Sequence, residues 1–118
     1  MNALELLDEG EIKFNGRIQI NRKYVCGKTN DSSSYDHYTL VQDTSIEKKL
    51  GVIGIVHGFA QCSDTFMETQ VQLAMNGYIV YAIDLEGYGY TAGARICGLR
   101  IERFHHQVAT LLQLASTN

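Results

Sequence analysis

The residues of this sequence that could take part in chemistry follow two short apolar runs. His57 and Gly58 come directly after residues 52–56, and Asp84 comes directly after residues 78–83. The first run is rich in β-branched residues and too short for a free-standing helix, which predicts a strand buried on both faces of a parallel sheet. The second run predicts another strand. Since parallel strands carry ligand sites at their carboxyl ends, chemistry is expected beside His57 and Asp84.

The segment that begins at His57 contains residues that could act as a catalytic base and a nucleophile. His57 is followed by Cys62 and Ser63, whose thiol and hydroxyl groups are both possible nucleophiles. Asp84 could likewise be the acid of a catalytic triad. Aspartate before a glycine-rich loop commonly orders that loop through hydrogen bonds between its side chain and the backbone. We therefore expect Asp84 to support the loop rather than to react.

The glycine-rich loop after the second run contains two further patterns. Gly89, Thr91 and Gly93 spell Gly-x-Thr-x-Gly, a nucleophile elbow with threonine in place of serine. Residues 87–92 match the dinucleotide fingerprint Gly-x-Gly-x-x-Ala. Both sites need a helix that starts directly at the glycines, whereas the helical pattern begins only near residue 101. Neither a threonine nucleophile nor a dinucleotide cofactor is therefore expected, and no other cofactor is indicated.

The clearest helix is predicted over residues 101–115. Its apolar stripe consists of Ile101, Phe104, His105, Val108, Leu111, Leu112 and Ala115. Its polar face is predicted to hold Arg103, Gln107, Thr110 and Gln113. His105 and His106 lie roughly 100° apart on such a helix, so they cannot share a metal ion as residues four apart can. We expect a packed His105, a solvated His106 and no metal site.

The remaining elements complete a sheet that must position these residues. Residues 17–25 and 36–42 alternate between apolar and polar, which predicts an antiparallel pair of half-buried strands. A short helix is predicted within residues 1–15. A strand, a helix and a strand over residues 51–84 have the size of a βαβ unit.

The helix inside this βαβ unit is predicted from residue 64 to residue 75. Thr65 and Glu68 have the spacing of a capping box, which places the helix start beside Asp64. Gly77 follows the last apolar residue and can take the left-handed conformation that ends many helices. The helix is therefore expected to stop at Asn76-Gly77.

Length and composition describe one ordinary globular domain or part of one. The chain has 118 residues, 45% of them hydrophobic and 19% charged, with a net charge of −3. This mixed charge does not favour nucleic acid as a partner. The three cysteines (Cys26, Cys62 and Cys97) form no CxxC pair, which argues against a zinc site or a disulfide framework. No apolar run reaches the roughly 20 residues of a membrane span, and without a recognisable signal peptide a cytoplasmic location is expected.

The order of these motifs resembles the α/β-hydrolase fold. The residues that carry the resemblance are His57-Gly58-Phe59, Gly77-Tyr78 and the segment 84–93, Asp-Leu-Glu-Gly-Tyr-Gly-Tyr-Thr-Ala-Gly. They are most similar to the monoglyceride lipase and lysophospholipase-like group of serine hydrolases. The resemblance implies an α/β fold over residues 1–118 that matches the amino-terminal half of a hydrolase sheet. In it, 1–50 form an antiparallel lead-in hairpin and connector, and 51–118 a βαβ unit with a covering helix.

The resemblance also implies roles for particular residues. The backbone N–H of Phe59 is the expected oxyanion-hole donor, because the loop after a His-Gly pair supplies one donor in this fold. His57, Gly58, Asp84, Gly87 and Gly89 are expected to support the two loops. The nucleophile elbow Gly-x-Ser-x-Gly is expected after the helix at 101–115, where the sequence ends. No catalytic residue is therefore expected within the chain.

Two functions follow from the resemblance. The first is the front part of a serine hydrolase of acyl or lipid esters, which contributes the oxyanion-hole loop but lacks the nucleophile. The alternative is a non-catalytic, hydrolase-like protein that acts as a structural or interaction subunit. In either case the strand at 52–56 is expected to leave one backbone edge unpaired. Either the carboxyl-terminal half of the hydrolase lies outside this chain, or a partner chain covers the edge.

Overall fold

Five strands and two helices make up the described part of the chain. The structure, a computed structural model, describes residues 6–14, 16–28, 33–58, 61–85, 91 and 101–116. The elements in chain order are β1 (Leu6–Phe14), β2 (Ile18–Lys28), β3 (Ser33–Asp43), β4 (Gly51–Val56), α1 (Met67–Met75), β5 (Tyr78–Ile83) and α2 (Ile101–Ser116). None of the helices in these residues is long and apolar enough to cross a membrane.

The strands form one mixed sheet in the order β1-β2-β3-β5-β4. The first three strands are antiparallel neighbours, and β5 lies antiparallel to β3. On its other side β5 pairs in parallel with β4, in a register that joins Val56 to Ile83. The parallel pair comes from the predicted βαβ unit, so its carboxyl ends meet at one edge of the sheet. This arrangement confirms the predicted fold class.

The helix predicted within residues 1–15 is wrong, because β1 (Leu6–Phe14) is a strand there. Strand β1 pairs along β2, with a register shift between Asp8 and Gly10. Glycine in the middle of the segment disfavours a helix, and an isolated helix of this length is marginal in water. The edge of β2 offers backbone partners that a short helix would lack. The lead-in is therefore three antiparallel strands rather than a single hairpin.

The two helices cover opposite faces of the sheet. Tyr81 and Ile83 of β5 pack with Leu111 and Leu114 of α2. Val80, between Ile79 and Tyr81 in the same strand, belongs to the cluster that includes Ala74 of α1. Successive side chains of a strand point to opposite faces, so β5 contributes to both apolar layers. All three of its core residues named here are at most 5% exposed.

Strand β4 lies at the edge of the sheet. Among the described residues it pairs with β5 alone, which agrees with the predicted unpaired edge. The prediction that this strand is buried on both faces is wrong for this structure, since Gly54 and Val56 are exposed and the other four residues are half-buried. The physical reason is its position: a strand with a neighbour on one side only keeps part of its surface in solvent.

Helix α1 begins later than the sequence predicts. A 3₁₀ turn, Ser63–Phe66, precedes the helix, and Thr65 Oγ1 accepts a hydrogen bond from the backbone N–H of Cys62 rather than capping the helix at its own position. Asp64 bonds to Arg22 at 2.8 Å, which fixes the turn against β2. The predicted end is confirmed: Gly77 has φ of +101° directly after the helix.

Helix α2 occupies the predicted residues but buries a different face. Gln107 and Thr110, predicted on the polar face, are 0% and 5% exposed. Leu112, predicted in the apolar stripe, is 65% exposed, and His105 is also exposed. The buried face is centred on Leu111 and Leu114, so the helix is rotated relative to its hydrophobic pattern. The bonds that fix this rotation belong to the site.

Candidate functional site

His57 links the carboxyl ends of the two parallel strands. Its Nε2 accepts a hydrogen bond from the backbone N–H of Leu85 at 2.9 Å. A backbone N–H can only donate, so Nε2 carries no proton and the proton of the neutral ring is on Nδ1. Nδ1 then donates to the carbonyl oxygen of Gly58 at 2.8 Å. The ring is 4% exposed, and it holds β4, β5 and the turn after β4 together.

The carboxylate of Asp84 joins two other elements to the end of β5. Its Oδ2 lies 2.7 Å from His37 Nδ1 on β3, and its Oδ1 accepts from the backbone N–H of Ser63 at 2.6 Å. The side chains of Asp84 and His37 are 0% and 1% exposed. A buried carboxylate needs such donors to offset the loss of water. These partners are residues before Asp84 in the chain, and the glycine-rich loop that Asp84 was predicted to order lies largely outside the described residues.

The backbone of Asp84 is held as firmly as its side chain. Its N–H donates to the carbonyl oxygen of His37 at 2.9 Å. Its carbonyl oxygen accepts from Thr91 Oγ1 at 2.7 Å and from Gln107 Nε2 at 3.0 Å. Thr91 Oγ1 also accepts from the backbone N–H of His37 at 2.8 Å. Every polar backbone atom of this residue is therefore bonded inside the protein.

A second buried chain of hydrogen bonds ties helix α1 to the same place. Thr39 Oγ1 on β3 donates to Gln70 Oε1 at 2.8 Å. Gln70 Nε2 in turn donates to the carbonyl oxygen of Ser63 at 2.9 Å. Thr39 and Gln70 are both 0% exposed. The network thus joins β3, both helices and both loops at the carboxyl ends of β4 and β5.

Four of the hydroxyl side chains in the described part of the chain have structural surroundings. Ser63 Oγ is buried and forms no hydrogen bond with a described group. Ser45 Oγ bonds to Asp43 and Ser116 Oγ bonds to a helix carbonyl. The hydroxyl of Thr91 donates to the backbone of Asp84. Each of these hydroxyl groups is therefore either buried or engaged in a hydrogen bond within the protein.

His57 does not act as the base for Cys62. Both ring nitrogens of His57 are engaged with backbone groups, whereas the half-buried thiol of Cys62 lies 3.8 Å from Thr65 Oγ1. The described residues also include no group of three potential metal ligands. His105 is exposed and only its neighbour Phe104 forms a described ring contact with it.

Three of the predicted site residues lie outside the described part of the chain. They are Phe59, Gly87 and Gly89. The structure does place the residues that flank them: Gly58 is exposed, its N–H donates to Gln61 Oε1 at 2.9 Å, and Gln61 N–H returns a bond to Gly58 O at 3.2 Å. A side chain on Gly58 would meet that Gln61 oxygen at 3.1 Å. A side chain at position 58 would therefore require a small shift of the Gln61 side chain.

Sequence reasoning missed His37 and Gln107 as members of the site. His37 was predicted only as part of a half-buried strand, and Gln107 as part of a solvent-facing surface. No local pattern marks either residue, because each bonds to Asp84, which lies 47 residues from His37 and 23 from Gln107 in the sequence.

Among the described residues, the carboxyl group of Asp43 has a clearly lowered pKa, and it lies at the end of the sheet opposite Asp84. The guanidinium of Arg17 bonds to Asp43 at 2.5 Å, and Ser45 donates to the same carboxylate. The hydrogen bond from Arg17 is the main cause that lowers the pKa of Asp43 to about 2, with Ser45 second. This pair holds the turn after β3, away from Asp84.

The sheet order, the helix on each face and the loops at the carboxyl ends of β4 and β5 are those of the amino-terminal part of an α/β-hydrolase. A family model described as serine aminopeptidase, S33, matches residues 47–118. This is more than half of the chain, and the protein belongs to that family. No significantly similar sequence was found among curated proteins.

Two solved structures share the fold. Acetyl xylan esterase from Paenibacillus sp. R4 has a TM-score of 0.63 at 19% identity, over 79% of this chain and 29% of that esterase. Acetyl xylan esterase 1 from Thermoanaerobacterium sp. JW/SL YS485 has a TM-score of 0.67 at 17% identity, over 97% of this chain and 39% of that one. The chain thus corresponds to less than half the length of either esterase.

Proposed function

We propose that the protein supplies the oxyanion-stabilising side of a serine hydrolase site that acts on small acyl or lipid esters, such as monoacylglycerols or lysophospholipids. The backbone N–H of Phe59 is the donor, and the attacking serine comes from outside residues 1–118. The sequence contains no Gly-x-Ser-x-Gly, and the buried Ser63 Oγ forms no described hydrogen bond. The cytoplasmic location expected from the sequence belongs to the same proposal.

The bonding of His57 is the observation that carries this proposal. The ring fixes the carbonyl of Gly58 and the end of β5 at once. An oxyanion donor must be oriented before the reaction, since its value lies in needing no reorganisation when charge develops. A turn held by a buried imidazole directly before Phe59 meets that need. Membership in the serine aminopeptidase, S33, family and the esterase names of both structural neighbours support the same reaction class.

A matched pair of variants at residue 59 tests the role of its backbone N–H. The polypeptide that carries residues 1–118 is isolated from its native source, and its gene is then altered to Phe59→Pro and Phe59→Ala. Proline removes the N–H, so kcat for p-nitrophenyl butyrate should fall about 10²- to 10³-fold. Alanine keeps the N–H and should change kcat far less. Equal activity of the two variants would show that this N–H stabilises no oxyanion.

Labelling with a fluorophosphonate probe tests where the nucleophile lies. The native polypeptide should be labelled at a serine outside residues 1–118, as located by mass spectrometry of its peptides. The 118-residue chain alone should not be labelled at an active-site serine. Specific labelling of a serine within the chain, together with ester hydrolysis by that chain, would overturn the assignment.

A non-catalytic role is the second candidate, and the edge of β4 favours it. Six residues of this strand have no described partner on their outer side, and Val56 on that strand is 39% exposed. A partner chain that adds a strand there would make the protein an interaction subunit. If the native polypeptide neither reacts with fluorophosphonate nor hydrolyses esters, but co-purifies with a stoichiometric partner, this candidate replaces the first.

A further inference from the structure

We propose that Gln107 is a positioning residue for the turn at His57-Gly58, acting through the single peptide group between Asp84 and Leu85. Any effect of Gln107 on catalysis rests on the proposed oxyanion role of that turn. The effect of Gln107 on the orientation of the turn can be measured without an activity assay. Nothing in the sequence pattern marks Gln107 for such a role, because its place in the helix predicts a solvent-facing side chain.

The two sides of one peptide group carry the argument. The carbonyl oxygen of Asp84 accepts from Gln107 Nε2 at 3.0 Å and from Thr91 Oγ1 at 2.7 Å. The N–H of the same peptide group belongs to Leu85 and donates to His57 Nε2 at 2.9 Å. No described peptide bond is cis, so this oxygen and this hydrogen point in opposite directions within one rigid plane. Fixing the oxygen therefore fixes the direction of the N–H.

His57 passes this orientation on to the turn. Its Nε2 must face the N–H of Leu85, and the ring geometry then sets where Nδ1 points. Nδ1 lies 2.8 Å from the carbonyl oxygen of Gly58. A rotation of the peptide group between Asp84 and Leu85 would turn the N–H away and release the ring. Helix α2 thus controls the turn after β4 through a relay of Gln107, the peptide group and His57.

Burial makes this relay specific rather than incidental. Gln107 and Asp84 are 0% exposed, His57 is 4% exposed and Leu85 is 5% exposed. Water cannot readily replace the side-chain amide as the donor to this carbonyl, because the group has no access to solvent. The same bond explains the rotation of α2, since the helix turns Gln107 inward although Leu112 becomes 65% exposed.

Gln107→Met tests the relay, because methionine keeps the length of the side chain and removes its amide. The control is Gln72→Met at an exposed position of α1. The readout is the nitrogen–nitrogen NMR coupling across the hydrogen bond from Leu85 N–H to His57 Nε2, measured with the hydrogen exchange rate of the Leu85 amide. The unaltered protein and Q72M should both show the coupling. In Q107M, where Thr91 Oγ1 still donates to the Asp84 carbonyl, the coupling should weaken, and the Leu85 amide should exchange at least about tenfold faster.

A coupling and an exchange rate in Q107M equal to those of Q72M would overturn the proposal. If Q107M does not fold, the same coupling and exchange rate are measured in Gln107→Asn. Asparagine keeps the amide, but its side chain is too short to reach the carbonyl oxygen of Asp84. In an active polypeptide, Q107M should lower kcat about 10- to 100-fold with little change in KM. Phe59→Pro should lower kcat while leaving the Leu85 to His57 coupling intact, so failure of the proposed function and failure of this relay are distinguishable.

Discussion

His37 and Asp84 form a buried pair, with Nδ1 of one 2.7 Å from Oδ2 of the other and both side chains at most 1% exposed. The pair joins the antiparallel part of the sheet to its parallel part, because His37 lies on β3 and Asp84 ends β5. Strands β3 and β5 also pair through their backbones, and the N–H of Asp84 donates to the carbonyl oxygen of His37. The side-chain contact therefore reinforces the end of this strand pair. The candidate site is built on this junction.

Removal of the Asp84 carboxylate should destabilise the fold strongly. Asp84→Ala leaves His37 Nδ1 and the N–H of Ser63 without their partner in a buried place. Two hydrogen bonds to a charged group are each worth about 1.5–3 kcal/mol, so the free energy of unfolding should fall by at least about 3 kcal/mol. Urea denaturation measures this change. The control is Asp64→Ala, which breaks a half-exposed pair with Arg22 and should lower the free energy of unfolding by no more than about 1 kcal/mol. Equal losses of unfolding free energy in the two variants would show that the buried bonds of Asp84 contribute no more than this surface pair.

Enlarging Gly54 should push α2 away from β4. A Cβ at this position would lie 3.2 Å from a methyl carbon of Leu111. Gly54→Val should therefore destabilise the protein by about 1–3 kcal/mol through overpacking. Leu111→Ala alone should cost about 2–5 kcal/mol.

The double variant of Gly54 and Leu111 should cost clearly less than the sum of the two single changes, because alanine at 111 makes room for valine. A double-mutant cycle of unfolding free energies measures this coupling. Strict additivity would show that the two residues are not in the contact described.

Stability should depend on pH through Asp43. Its pKa is lowered to about 2 in the folded protein, from an ordinary value of 3.8, chiefly by the hydrogen bond from Arg17. A carboxyl group whose folded pKa is depressed stabilises the fold fully above its unfolded pKa, and this contribution is lost as the pH falls through the folded value. The loss should therefore lie between about pH 4 and pH 2.

Carboxyl-carbon NMR of Asp43 measures this pKa directly. Arg17→Met removes the main cause of the shift, so the pKa of Asp43 should rise towards 3.8. The pH dependence of unfolding in that window should flatten in Asp43→Asn. A pKa of Asp43 that is unchanged by R17M would assign the shift to Ser45 instead.

Two glycines separate backbone strain from side-chain contact. Gly77 has φ of +101°, and a Cβ there would lie 3.3 Å from Leu50 Cγ. Gly16 has φ of +70° with nothing within 4 Å of such a Cβ. Both alanine variants should lose stability through the left-handed backbone, by about 1–3 kcal/mol. Gly77→Ala should lose more than Gly16→Ala in thermal unfolding, and the reverse order would show that the Leu50 contact relaxes freely.

Elements with strong local patterns were predictable from the sequence. The apolar runs at β4 and β5, the glycine stop after α1 and the extent of α2 follow from side-chain period and backbone preference, which neighbours in the chain determine. The order of the motifs also sufficed for the fold class. The role of Asp84 in ordering the glycine-rich loop after it stays a prediction, because that loop lies largely outside the described residues.

Tertiary structure decided the rest, because the deciding partners are distant in sequence. Strand β1 replaced a predicted helix since the edge of β2 accepts its backbone. Helix α2 turns Gln107 inward, where its amide donates to the carbonyl of Asp84 beside Thr91. The proton of His57 is placed by the N–H of Leu85, 28 residues away. Local sequence sets what each segment prefers, whereas burial of polar groups selects the one packing in which they find partners.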